Sequence, residues 1–413
     1  MAARLGAPGT GSRRHPDAVR SQIARLVAAG EASHRLDLSR LTGLSRSSIH
    51  THVQDLVDAG LLHGEDAGGG GGRGRPALRL SLAGDAGVVL IADLAPFSTR
   101  CVVTDLTQRV LADADFPWRL SEGPEPTVAL LVEQFAGLLE QAKVPADRPR
   151  VLVVGLPGPV DVARGMAVRP PIMPGWDGFP VAERLGGVLG CPVLVDNDVN
   201  LMALGEARTV PPEQLPVLFV TVGAGIGAGF VLADGTLHRG ADGAAGDIGH
   251  IRVPGAEDVV CRCGKAGCVE AVASTAALAR GLTPSGEPPL DMAEQGAAMR
   301  AFVAQLRDGL PDALHAVRAA GATLGEVIAL CIHMLNPRHV VVGGDVVEAS
   351  DDLLSAVRGV VYRHALPLAT RELSITRSHL GPDASTVGAM VLGIEHLLSP
   401  TGIGRFLAPR GTP

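Results

Sequence analysis

The sequence predicts two α/β lobes behind a small helical module that ends in a two-stranded wing. Three observations carry that reading. From Val88 onward, apolar runs of strand length alternate with stretches of helix length, the pattern of α/β domains. Before Val88, three short amphipathic stretches are separated by glycine and serine stops. With 413 residues, 46% hydrophobic and 19% charged, the chain can bury two or three globular cores.

Residues 1–16 are rich in Gly, Pro and Arg and read as a disordered basic arm. The module is expected over 17–82. Val19, Ile23, Leu26 and Val27 recur at helical spacing, which predicts a first helix from Asp17 to Ala29. Leu38 and Leu41 mark a short second helix, and Thr42-Gly43-Leu44 makes a tight turn. Ser45 is placed to cap a third helix that reaches Ala59 and stops at Gly60. Ile49, Val53 and Leu56 form the inward stripe of that helix, leaving Arg46, Ser47, His50, Thr51 and Gln54 on its other face. Leu61-Leu62 leads into a strand, Gly68–Gly72 is the tip of a wing, and Ala77–Ser81 is the returning strand.

Two helices joined by a short Gly turn, the second opening on small polar residues, are the arrangement that sets a recognition helix in the DNA major groove. Ser, Thr and Gln can read base edges there, and Arg46 can reach phosphate or guanine. Residues 1–80 hold 11 Arg and no Lys against 7 Asp and Glu, a net +4, whereas the whole chain is −7, leaving −11 for 81–413. A basic module on an acidic body makes nucleic acid a partner of the module alone. Arg73-Gly-Arg75-Pro76 is a thin, extended linker whose two guanidiniums suit a narrow minor groove.

In the body, strand and helix candidates run Val88–Asp93, Arg100–Asp105, Thr127–Gln141, Val151–Gly155, Val181–Leu189 and Pro192–Asp196. They compose a first lobe over 86–210, completed by a C-terminal helix at about 386–400. A second lobe over 211–385 opens with the strand Val217–Val222 and a Gly-rich turn, Gly223–Gly227. No apolar run of about 18 residues is expected to span a bilayer, and the N-terminus lacks the apolar core of a signal peptide. Cys101, Cys191 and Cys331 sit singly among apolar residues as buried small hydrophobes, which fits a reducing, cytoplasmic compartment.

The second lobe also carries His250, Cys261, Cys263 and Cys268 within about twenty residues. A Cys3His set is a closed, tetrahedral site for structural zinc, because thiolates and an imidazole satisfy the ion and leave no open position. Gly264 and Gly267 fall between the last two thiols, where a chain wrapping an ion needs φ > 0.

Gly243-Ala-Ala-Gly-Asp-Ile-Gly-His250 followed by Cys-x-Cys-Gly-x-x-Gly-Cys-x-Glu resembles the signature of the ROK family of sugar-responsive repressors and sugar kinases. Gly155–Pro159 with Pro170–Trp176, and Asp196–Asn200, match further stretches, and the resemblance runs from about Val88 to the C-terminal region. The N-terminal module and its Arg-Gly-Arg-Pro linker look like those of the family's repressors. The resemblance implies a two-lobed actin-like, hexokinase-like fold with a winged helix-turn-helix in front.

It further implies a sugar pocket in which Asn197 and Asp198 contact hydroxyls, Gly158 lets the backbone approach, and Glu270 accepts from the ring. His250 would serve both ion and pocket. Asp247 stands where relatives usually have Glu. In a kinase, Asp198 would be the general base. Kinases of the family carry an Asp-x-Gly-Gly-Thr phosphate loop; here the stretch is Asp93-Leu-Ala-Pro-Phe-Ser98, without either glycine, with Pro96 lacking an N–H. The expectation is therefore a zinc-containing, sugar-responsive regulator of double-stranded DNA, a homodimer or dimer of dimers, that is not an enzyme. A sugar kinase with an appended DNA module, and a ligand-independent regulator with a vestigial pocket, are the alternatives.

Overall fold

The computed structural model of the chain describes residues 3–6, 15–66, 78–281 and 292–408. Helices α1 (Pro16–Ala28), α2 (Arg35–Thr42) and α3 (Arg46–Asp58) pack on one another, followed by the antiparallel pair β1 (Leu62–Asp66) and β2 (Leu78–Leu82). Ile23, Leu38, Ile49, Val53 and Leu56 are fully buried between them. Gly43, at φ 73°, ends α2 in the left-handed region, and the Ser45 hydroxyl accepts the Ser48 N–H at 3.2 Å to cap α3. Leu41, which with Leu38 marks this helix in the sequence, is 45% exposed at the last turn of α2. The wing tip, with Arg73 and Arg75, lies outside the described residues.

The first lobe is built on a five-stranded sheet in the order β5-β4-β3-β6-β9. Its strands are β3 (Val88–Leu94), β4 (Ser98–Asp105), β5 (Val110–Pro117), β6 (Pro149–Leu156) and β9 (Val193–Asn197), with the small hairpin β7 (Val160–Asp161) and β8 (Met166–Ala167) beside it. Pairing is antiparallel from β3 to β5 and parallel across β3, β6 and β9. Helices α4 (Pro124–Gln141) and α5 (Val181–Leu189) cover one face around Phe135, Leu90 and Val154. Helix α6 (Asp198–Thr209) leaves β9 toward the second lobe.

The second lobe repeats the plan, with sheet order β12-β11-β10-β13-β14. It comprises β10 (Val217–Val222), β11 (Ile226–Val231), β12 (Leu237–His238), α7 (Val269–Ala273), α8 (Thr275–Gly281), α9 (Met292–Arg307), α10 (Pro311–Leu335), β13 (His339–Gly343), α11 (Asp345–Ala349), α12 (Asp352–His364), α13 (Pro367–Thr370) and β14 (Ser374–Arg377). Helix α14 (Ala384–Leu397) then returns to the first lobe and covers the other face of its sheet, and α15 (Pro400–Leu407) packs on α1. One buried apolar cluster accordingly runs from Ile23 and Leu26 of the N-terminal module through Leu398 and Ile403 to Val89 and Val153 of the first lobe.

Two expectations need correction. Residues 3–6, assigned to an unstructured arm, lie extended on the first lobe. The Arg4 N–H donates to the Arg208 carbonyl at 3.1 Å, the Gln108 side chain brackets Ala3 with two bonds of 2.7 Å, and Ala3 and Leu5 are buried. Apolar contact and satisfied backbone groups outweigh the arm's composition. Contrary to the expectation of no membrane-length apolar stretch, helix α10 is long and apolar enough to cross a bilayer by length and composition. Its apolar window is 56% buried, and it packs against α12 as the core helix of its lobe.

Candidate ligand cleft and metal centre

The turn from β9 into α6 sets one wall of the cleft. Asn197 caps α6, its Oδ1 accepting the N–H groups of Val199 and Asn200 at 3.0 and 3.2 Å, while its Nδ2 donates to the Gly158 carbonyl at 2.8 Å. Gly158 adopts φ 102°, which a side chain would disfavour, so its carbonyl can turn toward Asn197. Asn197, expected as a ligand contact, thus uses most of its side chain to hold the wall, with one N–H left over. Asp198 follows at the first position of α6. It keeps some accessible surface but is densely surrounded by protein, and desolvation first, then the nearby charge of Asp93, pushes its carboxyl up to about 7. Desolvation likewise raises Asp93 to about 6, against the hydroxyl of Ser385, which donates to Asp93 Oδ1 at 2.8 Å. A carboxyl raised toward neutral pH can donate when protonated as well as accept, a useful property against hydroxyl groups.

The other wall belongs to the second lobe. Gly246-Asp247 leads into a short turn at Ile248–His250. Asp247 is exposed at the rim, its pKa raised by partial desolvation against the opposing pull of His250. Glu270, at the start of α7, accepts the Ile226 N–H through Oε2 at 3.1 Å, so one of its two oxygens braces the turn before β11. Ile226-Gly227 joins the two walls, since Gly227 packs against Val199 so closely that a Cβ there would fall 3.0 Å from the Val199 side chain.

Behind that wall, a ring nitrogen of His250 and the Sγ atoms of Cys261, Cys263 and Cys268 lie within 4.8 Å of one another. Cys261 Sγ is 3.8 Å from His250 Nδ1, and Cys263 Sγ is 3.8 Å from Cys268 Sγ. Disulfide sulfurs sit about 2.05 Å apart, so these thiols are unpaired. About 3.8 Å is instead the edge of a tetrahedron whose centre lies about 2.3 Å from each sulfur, the Zn–S distance. Gly264 and Gly267 take φ 85° and 87°, and the chain closes on itself through Cys261 N–H to Lys265 C=O and Val253 N–H to Gly267 C=O. The donor set, its geometry and its burial all fit a tetrahedral ion held by four side chains.

The stretch expected to correspond to a phosphate loop is a four-residue turn between β3 and β4, closed by Ala95 N–H to Ser98 C=O at 2.9 Å. Phe97, in this turn, is half-buried. It crosses the cleft and packs on the core of the second lobe, against Gly296 of α9, where a Cβ would meet the ring at 3.3 Å. The Gly223–Gly227 run is only partly a turn. Gly227 and Gly229 belong to β11, and a Cβ on Gly229 would fall 2.5 Å from Ala203 Cβ and 2.8 Å from the Val199 carbonyl. Those glycines admit helix α6, which accounts for them without a nucleotide.

On α3, Arg46, Ser47, His50 and Thr51 are exposed and Gln54 is half-buried, on one face. Arg20 of α1 bonds Asp55 of α3 at 2.7 and 3.1 Å and Asp17 at 2.8 Å, fixing the angle at which that face is presented. Sequence reasoning does not reach Arg20, nor the pairing of Arg239 with Asp196. Arg239, in the second lobe, donates two hydrogen bonds of 2.6 and 2.9 Å to the buried Asp196, whose other oxygen accepts from Asn197 N–H and Asn200 Nδ2. Asp196 opens the Asp196–Asn200 motif; only its partner, 43 residues away, is illegible in the sequence.

The sequence model of the ROK family matches residues 96–396. A glucokinase of Halalkalibacterium halodurans is 31% identical over 283 residues, covering 66% of this chain and 85% of its own. The DNA-binding transcriptional repressor Mlc of Escherichia coli is 24% identical over 374 residues, covering 90% of this chain and 91% of its own. A crystal structure of a ROK family transcriptional regulator, a homologue of the Escherichia coli Mlc protein, superposes with a TM-score of 0.78 at 25% identity, covering 95% of this chain and 98% of that one. Repressor-type matches extend through about nine-tenths of the chain, and the glucokinase match through two-thirds.

Proposed function

We propose that this chain, which belongs to the ROK family, is a sugar-responsive transcriptional repressor that binds operator DNA and has no sugar-kinase activity. The observation that carries the reading is Phe97. A kinase needs backbone N–H groups free to cradle phosphates at the β3–β4 turn. Here Pro96 supplies none, and Phe97 spans the cleft to Gly296 instead. The exposed α3 face supports the DNA-binding half of the reading, with Arg46, Ser47, His50, Thr51 and Gln54 as base or phosphate contacts and Arg73 and Arg75 as minor-groove contacts. A homodimer, or a dimer of dimers, follows from the need to present two recognition helices at fixed spacing.

In the cleft, Asp198, the remaining N–H of Asn197, the backbone at Gly158 and Glu270, whose Oε1 also accepts from the Cys261 thiol at 3.7 Å, are the groups we assign to a sugar, with Asp247 and His250 at its edge. His250, Cys261, Cys263 and Cys268 would hold one structural zinc per chain. Such an ion supplies a cross-link that fixes the loop between Asp247 and Glu270. A protein raising DNA affinity in one lobe arrangement and binding sugar in another needs no further chemistry.

One observation favours a kinase: a carboxyl near pH 7 at Asp198 suits a general base. The two readings separate in a pair of experiments. Selection from fragmented genomic DNA should enrich discrete sites with the wild-type protein and lose them with Arg46→Ala/Thr51→Ala. Coupled ATP-turnover assays over hexoses, pentoses and N-acetylhexosamines should stay at background. Turnover abolished by Asp198→Asn, with no DNA enrichment, would reverse the assignment.

A further inference from the structure

We propose that α6 carries the state of the cleft to the N-terminal module, through Arg208 at the end of the helix farthest from the cleft. The proposal rests on the reading that the cleft and the module are the two functional sites. At its first turn α6 bears Asn197 and Asp198, and the preceding Asp196 is gripped across the lobes by Arg239. The helix runs twelve residues, about 18 Å at 1.5 Å per residue.

Along that length α6 is confined on two sides by glycines. Gly227 and Gly229 of β11 admit it closely on the second-lobe side. On the first-lobe side Gly205 meets the Ala384 carbonyl and Gly388 of α14, and Gly388 meets the Leu201 carbonyl, so closely that a Cβ on either would collide with backbone. Backbone packed on backbone leaves no layer of flexible side chains to absorb a shift of the helix.

At the far end three bodies meet on Arg208, which is buried. Its Nη1 donates to the Gly235 carbonyl of the second lobe at 2.9 Å. Its Nε and Nη2 donate to Glu395 Oε1 of α14 at 3.1 and 2.8 Å. Glu395 in turn accepts the Arg25 guanidinium of α1 on its backbone carbonyl at 2.9 Å and the Gly6 N–H on its carboxylate. The Arg208 carbonyl accepts the Arg4 N–H. A rotation of the lobes that moves Gly235 relative to Glu395 must therefore either break the Arg208 bonds or pull on α1 and residues 3–6. A buried charge-assisted network resists breaking, because a lost partner strands a desolvated charge.

Hydrogen exchange on the full-length protein tests this without sugar or DNA. Arg239→Met acts at the cleft end of α6. It should speed exchange in α1 and residues 3–6 by at least about threefold, since release of a coupled unit lowers local protection. In Arg208→Met the α1 amides should already exchange fast, and adding Arg239→Met should change nothing more. If Arg208→Met does not fold, Glu395→Gln replaces it, keeping an acceptor while removing the charge. Exchange in α1 that ignores Arg239→Met, or rises by the same factor with the Arg208–Glu395 pair intact and broken, overturns the proposal. Because neither ligand enters the measurement, failure to select DNA would overturn the repressor reading and leave this result to be judged on its own.

Discussion

Replacing Asp198 by Asn should make the protein more stable, by an amount that grows with pH. Packing and the neighbouring Asp93 raise the Asp198 carboxyl from 3.8 to about 7, a difference of about 3 units, each worth about 1.36 kcal/mol. The folded state therefore holds the proton more tightly than the unfolded chain. Between pH 4 and 7 the unfolded chain binds fewer protons, so stability falls as pH rises and levels off above 7. At pH 8 the ionised group costs about 4 kcal/mol, and at pH 6 about 3 kcal/mol. Asn incurs neither, and its Oδ1 keeps the acceptor that takes the Val199 N–H at 2.9 Å. Thermal unfolding of both proteins at pH 6 and pH 8 reads the difference within a window mild toward the thiol site. Asp198→Asn should melt higher at both, with the wider gap at pH 8. A gap that is absent, reversed or the same at the two pH values would refute the desolvated, proton-holding state of Asp198.

Three further outcomes are expected. Arg73→Ala/Arg75→Ala should weaken DNA binding and lower the slope of log K against log salt by about 2, one for each arginine taken off the DNA backbone charge; an unchanged slope removes both arginines from the interface. Metal analysis should return one zinc per chain, and Cys263→Ser should lose it together with protection of the loop from His250 to Cys268, whereas a metal-free variant with that loop intact would show that no ion holds it. Gly229→Val should destabilise by about 1–3 kcal/mol through overpacking against Ala203 and the Val199 carbonyl, and a neutral effect would show that β11 and α6 are not as tightly joined as their glycines imply.

The local features of the fold are legible because their causes are local. Ser45, Gly43 and the Ile49/Val53/Leu56 stripe define α3 between Gly43 and Leu56, and helix capping needs nothing more distant. The His250–Cys268 cluster is legible for a different reason: metal-ligand chemistry restricts both residue type and spacing. Strand β5, which alternates Ala and Asp through Ala112-Asp-Ala-Asp115, escapes sequence reasoning because an exposed edge strand carries little apolar signal. Helices α9 to α13 are equally hard to read, since their order depends on the lobe they complete. What cannot be read at all is pairing across the chain. Nothing in the sequence joins Phe97 to Gly296, nor Asp196 to Arg239, nor Arg25 and Gly6 to Glu395. Composition assigns residues 3–6 to a free arm because burial of Ala3 and Leu5 requires a surface that only the folded first lobe provides.

The claim that a kinase-like body has become a sensor for an attached DNA module is tested most directly by one titration. The affinity of the full-length protein for a DNA fragment it selects is measured by fluorescence anisotropy, with and without each sugar of a panel at saturating concentration. One sugar class should change the affinity at least about tenfold, about 1.4 kcal/mol of coupling, with no ATP present and with the change lost in Asp198→Ala. Affinity for DNA that no sugar alters, although a sugar binds the cleft, would contradict the claim.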